Sequence, residues 1–93
     1  MYQIILDRKI IKFIQTLPTK HQRQIKTYIL TLQEEPRPHD SQTLKDYEPY
    51  RRSDCGEYRI IYRIEESTKA VYIILVGKRN GGEVYHQLKN LLS

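Results

Sequence analysis

Cysteine occurs once in the 93 residues, at Cys55, so no internal disulfide can form, and no Cys/His cluster has the spacing of a zinc site. Tryptophan is absent, and glycine and proline occur only four times each, too rarely for a collagen-like or low-complexity chain. No apolar run approaches the ~20 residues needed to span a bilayer, and the mean hydropathy is −0.68. The segment Met1-Tyr2-Gln3-Ile4-Ile5-Leu6-Asp7 lacks the charged region, long apolar region and small-residue cleavage site of a secretory signal. Together these absences predict a cytoplasmic protein that makes no membrane contact and carries no structural metal. Paired carboxylates, a phosphate-cradling glycine loop and a serine or cysteine nucleophile with an evident histidine partner are missing too. The commonest hydrolytic and nucleotide-binding chemistries therefore have no candidate residues.

What is present is charge and tyrosine. Sixteen Lys and Arg against eleven Asp and Glu give a net charge of +5. The sequence pI is near 9.4. Such a balance suits a polyanionic partner, whose counterions Lys and Arg displace, and equally suits plain solubility. Eight of the nine aromatic residues are tyrosines, at home both on half-buried strands and against nucleic acid. With 39% hydrophobic and 29% charged residues, the chain is neither disordered nor membrane-embedded. Its length predicts one domain, residues 1–93, with one modest core.

Hydrophobic periodicity orders the elements. Tyr2 to Leu6 reads as a strand, and Asp7 as the N-cap of a helix whose stripe is Ile10, Phe13, Ile14 and Leu17. Pro18 ends that helix. Thr19 and Gln22 form a capping-box pattern for a second one, with Ile25, Tyr28, Ile29 and Leu32 on its apolar face. The stretch Glu35–Ser41, with two prolines, must be a loop. Strand patterns follow at Tyr50–Ser53, at Glu57–Ile64 and at Val71–Val76, with turns at Asp54-Cys55-Gly56 and Glu65–Lys69. Val84, Leu88, Leu91 and Leu92 mark a short terminal helix. The order β-α-α-β-β-β-α predicts an α+β fold, a small antiparallel-rich sheet with an N-terminal helical hairpin and its helices on one face.

Chemistry is left to arginine. Arg51, Arg52, Arg59, Arg63, Lys78 and Arg79 come from three successive strands or their ends. In an antiparallel meander Arg59 and Arg63 share a face, Arg51 or Arg52 stands across from Arg59, and Arg79 lies at the edge of the next strand, a group that would form a cationic patch on the uncovered sheet face. Guanidinium forks match phosphate oxygens in pairs, and on spacing alone an RNA-backbone site and a solvated face are equally good readings. RNA brings its own nucleophile, the 2′-hydroxyl, so a protein need only move protons and stabilise the phosphorane. A tyrosine, ordinarily with a pKa near 10, is a poor base until cations favour its phenolate. Cys55, His21 and His39 read as incidental or solvated, while His86, beside Tyr85, stays open as a participant.

Two segments carry a family resemblance. Gly56-Glu57-Tyr58-Arg59-Ile60-Ile61-Tyr62 resembles the Gly-x-Tyr-Arg-apolar-apolar-Tyr strand of the RelE/ParE toxin superfamily. Val76-Gly77-Lys78-Arg79-Asn80-Gly81-Gly82-Glu83-Val84-Tyr85 is similar to the ending of the RelE type, and is the more specific of the two. The resemblance implies a toxin of a type II toxin–antitoxin system, an endoribonuclease that cuts mRNA in the ribosomal A site without metal or cofactor and leaves a 2′,3′-cyclic phosphate. By position, Tyr85 resembles the general base, Arg79 the general acid and Arg59 the residue that holds the scissile phosphate. The family also uses two basic residues on the preceding strand, in the RelE type usually lysines spaced by one residue. Arg51 and Arg52 are the candidates here, with Tyr50 near one of those positions; Arg63 and Lys78 are further RNA contacts. A RelB-like antitoxin, the ribosome and mRNA are the implied partners. Two alternatives remain: a ParE-like inhibitor of DNA gyrase without nuclease chemistry, and a decayed toxin that only binds antitoxin.

Overall fold

A computed structural model describes residues 1–80 and 82–92, with Glu83 described by its backbone alone. β1 (Gln3–Ile5) leads into α1 (Arg8–Gln15) and α2 (Thr19–Glu34), followed by β2 (Gln42–Thr43), β3 (Arg51–Cys55), β4 (Tyr58–Glu65), β5 (Ala70–Lys78) and α3 (Glu83–Leu92). The five strands form one sheet in the order β1-β5-β4-β3-β2. Only β1 and β5 run parallel, with Ile4 beside Val71; the other pairs are antiparallel. The predicted architecture is thus present, with one addition. β2 is two residues long, too short to show a period, and exists because Gln42 and Thr43 pair with Arg52 and Arg51.

Local signals explain most boundaries. Asp7 caps α1 by accepting from the Ile10 N–H at 3.0 Å. The expected capping box at α2 does not form: Pro18 takes the N-cap position, with no side-chain cap bond. Gln22 turns back instead, its amide nitrogen donating to the carbonyls of Leu17 at 2.8 Å and Gln15 at 3.2 Å. It thereby satisfies carbonyls that α1 leaves open at its C-terminal end. At the far end of α2, Tyr62 reaches across to donate its buried hydroxyl to the Pro36 carbonyl at 2.8 Å. Nearby, burial pushes the Tyr28 hydroxyl up to about 12, and that hydroxyl donates to Asp40.

The two sheet faces hold separate apolar clusters. Ile10, Ile14, Ile25, Ile29 and Leu32 of the hairpin pack on Tyr58, Ile60, Tyr62, Val71, Ile73 and Val76. Each such side chain, fully buried, contributes on the order of 1.5–3 kcal/mol. Leu44, Ile61, Val84 and Leu88 form the second cluster on the opposite face, with Ile74 and Leu75 against it. Helices therefore cover both faces, not one: α3 lies across the face expected to be bare, because Ile61 needs cover as much as Ile60. Among the described residues of the terminal helix only Val84 and Leu88 are buried, whereas Leu91 and Leu92 are exposed. Among the described residues no helix is long and apolar enough to cross a membrane.

The pairing of β4 with β5 is interrupted once. Ile61 pairs with Leu75 and Tyr62 with Ile73, so Ile74 is an extra residue on β5. That bulge explains why the inward residues of β5 are Val71, Ile73 and Val76 rather than a strict alternation.

A surface cluster ties the chain's distant parts together. Tyr2 donates to Glu66 at 2.8 Å, and Arg37 and Lys69 pair with the same carboxylate at 2.8 and 3.3 Å. The Tyr2 hydroxyl first, then Arg37, hold the Glu66 carboxyl down to about 2. A depressed carboxyl stabilises the fold above its unfolded value, about 4.3, and the gain is lost as pH falls through the folded one. The melting temperature of the native protein should therefore drop more steeply between about pH 4.5 and 2 than that of Glu66→Gln. Parallel melting curves of the two proteins would remove Glu66 from this account.

Candidate functional site

The β3–β4 turn sets the site. It consists of Gly56 and Glu57 alone, with Gly56 at φ +60 in a conformation that L side chains rarely adopt. The sequence pattern puts the start of this turn two residues early, at Asp54, and its end at Gly56; β3 in fact runs on to Cys55. With the turn where it is, Asp54 pairs with Arg59 and Arg52 with Ile61, so these side chains share the α3 face.

Four of the seven residues singled out from sequence come together there. Arg59 reaches Asp54 side-on, Nε donating to Oδ1 at 2.7 Å and Nη2 to Oδ2 at 3.3 Å. Its Nη1 donates to the Tyr85 hydroxyl, and its guanidinium carbon lies 5.4 Å from that ring's centroid. Arg79 follows β5; its backbone N–H donates to the Glu57 carbonyl, and its Nη1 is 3.8 Å from Asp54 Oδ2. Arg52 donates to Gln42 at 2.8 Å and, with Tyr85, Leu44, Lys45 and Tyr47, lines a cleft of 290 Å³. Arg59 is 15% exposed and Arg79 48%, so one is built into the wall and the other stands at the rim. The hydrogen bonds from Arg59 hold the Asp54 carboxyl below the usual carboxylate range, with Arg52 and Arg79 adding to the effect. Reciprocally, Asp54 and then the Tyr85 contact strengthen the Arg59 guanidinium's hold on its proton.

Strand alternation sends the other three elsewhere. Arg51 pairs with Tyr62 and so belongs to the hairpin face, where it donates to Ser41 at 2.8 Å and Thr43 at 3.1 Å. Lys78 pairs with Tyr58 and is likewise turned from Arg59. Arg63 shares the face but sits four residues, about 13 Å, farther along the strand. There it stacks 4.1 Å over the Tyr72 ring and pairs with Glu65. His86 is exposed on α3. His21, expected to be solvated, is half-buried, edge-on to Tyr58 at 5.3 Å and 3.8 Å from Glu57.

Sequence reasoning missed Asp54, at the centre of the cluster, because the misplaced turn took it out of the strand. A two-residue Gly-x loop counted outward from Gly56-Glu57 would have set it opposite Arg59. Tyr47 was missed because its loop has no period; hydrogen bonds between Leu44, Tyr47 and Tyr50 fold it back on itself. Chemically, the face offers three guanidinium groups, one carboxylate and one phenol whose oxygen is held by a cation. That set can bind a phosphate and favour negative charge developing on the phenol oxygen.

A five-stranded mixed sheet with a helical hairpin on one face and a terminal helix on the other is the architecture of the RelE fold. Structural comparison bears this out. The RelE–RelB complex of Pyrococcus horikoshii OT3 aligns with a TM-score of 0.76 at 26% identity over 85% of this chain and 96% of that one. Isolated RelE toxin of E. coli aligns over 100% of both chains at 0.74 and 22% identity. The RelBE2 complex of Mycobacterium tuberculosis aligns at 0.72 and 22%, covering 84% and 98%. No curated sequence matches the chain. The family model "ParE toxin of type II toxin-antitoxin system, parDE" matches residues 7–81, and the chain belongs to that family within the RelE/ParE superfamily.

Because Tyr85 rides on a helix anchored by Val84 and Leu88, site geometry is coupled to packing. Leu88→Ala should cost about 2–4 kcal/mol of stability and loosen the Tyr85–Arg59 contact. Denaturant melts and near-ultraviolet circular dichroism of the tyrosines measure the two effects; an unchanged melt would show that Leu88 does not anchor the helix.

Proposed function

We propose that the chain is a metal-independent endoribonuclease that cleaves mRNA in the ribosomal A site and so inhibits translation. The observation that carries this reading is the contact of the Arg59 guanidinium with the Tyr85 hydroxyl, with Arg79 within reach of the same carboxylate that holds Arg59. Tyr85 takes the proton of the RNA 2′-hydroxyl, its oxygen held in place by the Arg59 guanidinium. The freed oxygen attacks the adjacent phosphorus, the bond to the 5′-oxygen breaks, and a 2′,3′-cyclic phosphate and a 5′-hydroxyl result. Arg59 and Arg52 neutralise the charge that builds on the phosphorane. Arg79, at the rim, delivers a hydrogen bond and a proton to the leaving oxygen. The ribosome's part is to align nucleophile and phosphate.

The partner we propose is a RelB-like antitoxin, acting in the cytoplasm. Relatives of known structure include toxins solved in complex with RelB antitoxins from P. horikoshii, E. coli and M. tuberculosis. An acidic amphipathic segment lying on the Arg52–Arg59–Arg79 face would shield it from RNA.

One observation favours a second reading. The matching family model is that of the ParE toxins, which supports gyrase inhibition without nuclease chemistry. Primer extension on programmed ribosomes with an empty A site separates the two. The nuclease reading expects a discrete stop within the A-site codon, reduced about 10²–10⁴-fold by Tyr85→Phe in a folded protein. Inhibited supercoiling by gyrase with the message intact would establish the second reading instead.

The two adjacent arginines provide a further test, since alternation separates them. Arg52→Ala should weaken binding of single-stranded RNA and reduce the salt slope by about 0.7. Arg51→Ala should leave both unchanged and cost about 1 kcal/mol of stability through its lost hydroxyl partners. Equal binding losses in filter-binding titrations of the two variants would contradict the assignment of faces.

A further inference from the structure

An aspartate is an unexpected centre for a site that binds phosphate. Asp54 offers both carboxylate oxygens to the Nε–Nη2 edge of Arg59, and its Oδ2 also lies 3.8 Å from Arg79. The remaining terminal nitrogen of Arg59, Nη1, donates to Tyr85. Each of the three guanidinium nitrogens thus has a partner inside the protein, and with 15% of its side chain exposed the group offers solvent little. A phosphate makes the same bidentate contact with a guanidinium as a carboxylate does. Placed on this fork beside an ionised Asp54, it would meet a like charge at contact distance.

Resting on the reading of this face as an RNA site, we propose that Asp54 is the site's resident anion: its carboxylate fills the arginine fork that an RNA phosphate takes, and RNA binds by displacing it. Asp54 is 34% exposed, so its carboxylate has a path to turn into water while Arg59 stays in the wall. The exchange trades one charge-assisted pair for another, and so lowers the affinity for free RNA without dismantling the site. It also keeps Arg59 pointed at Tyr85 when no RNA is present. The three arginines that hold the Asp54 carboxyl low keep it ionised, and therefore competing, throughout the neutral range.

The test is binding of an uncleavable 2′-O-methyl RNA oligomer to the isolated toxin. Asp54→Asn should bind about five- to tenfold more tightly at low salt, with a slope against salt steeper by about 0.7. Glu57→Gln makes the same charge change on a side chain 72% exposed and should alter binding less than about twofold. Equal gains in the two variants, or weaker binding by Asp54→Asn, would overturn the proposal. A measurement on the unaltered protein serves if the variant does not fold. Saturation with the oligomer should move the Asp54 carboxyl carbon resonance to that of a solvated carboxylate, and an unmoved resonance with RNA bound overturns the exchange. If Arg52→Ala and Arg59→Ala both bind RNA as well as the native chain, the RNA-site reading fails, and the exchange with it. Weakened binding in those two variants, with no gain in Asp54→Asn, overturns the exchange alone.

Discussion

Everything on the functional face depends on the register of one hairpin. The two-residue turn at Gly56 and Glu57 fixes Asp54 opposite Arg59, and from that pairing the facing of every side chain on β3 and β4 follows. Because side chains alternate along a strand, a slip of one residue between β3 and β4 would turn one strand over against the other. With β4 held in place by β5, Arg52 and Asp54 would then face the helical hairpin, and Arg51 and Ser53 would face α3. The glycine at positive φ is what makes so short a loop possible. Core and site are specified by the same pairing, and neither can be lost without the other.

The second requirement is that α3 returns over the sheet. Tyr85 is supplied by the last helix and Arg59 by a central strand, so their contact joins elements 26 residues apart in sequence. Val84 and Leu88 anchor the helix on Ile61 and Leu44, next to the tyrosine they position. Hydrophobic burial, which has no direction of its own, is here turned into direction by spacing: Tyr85 follows Val84 immediately and is therefore aimed at the strand's cationic end.

The sequence made the element order, the hairpin core and the family resemblance legible, because they rest on long periodic runs and on two contiguous motifs. Ile10, Ile14, Ile25, Ile29 and Leu32 are all where their spacing puts them. What escaped was decided by single residues. Thr19 and Gln22 fit a capping box, yet Pro18 took the cap and Gln22 served the preceding helix. A turn expected to begin two residues early concealed Asp54. Composition offered six cations for a patch but not which face each would take; register places Arg52, Arg59 and Arg79 together and Arg51 and Lys78 apart.

The bulge at Ile74 has a further consequence for how this strand tolerates change. On one side of it, Val71 and Ile73 face the hairpin core beside β1; on the other, Leu75 and Gly77 face α3 while Val76 returns to the hairpin core. Length is counted separately in the two halves. Losing the extra residue would restore regular pairing without turning any other side chain over, whereas losing one elsewhere on β5 would reverse a face. Ile74 is thus an expansion joint, the one place on β5 where the chain can change its length while core and site keep their own parity.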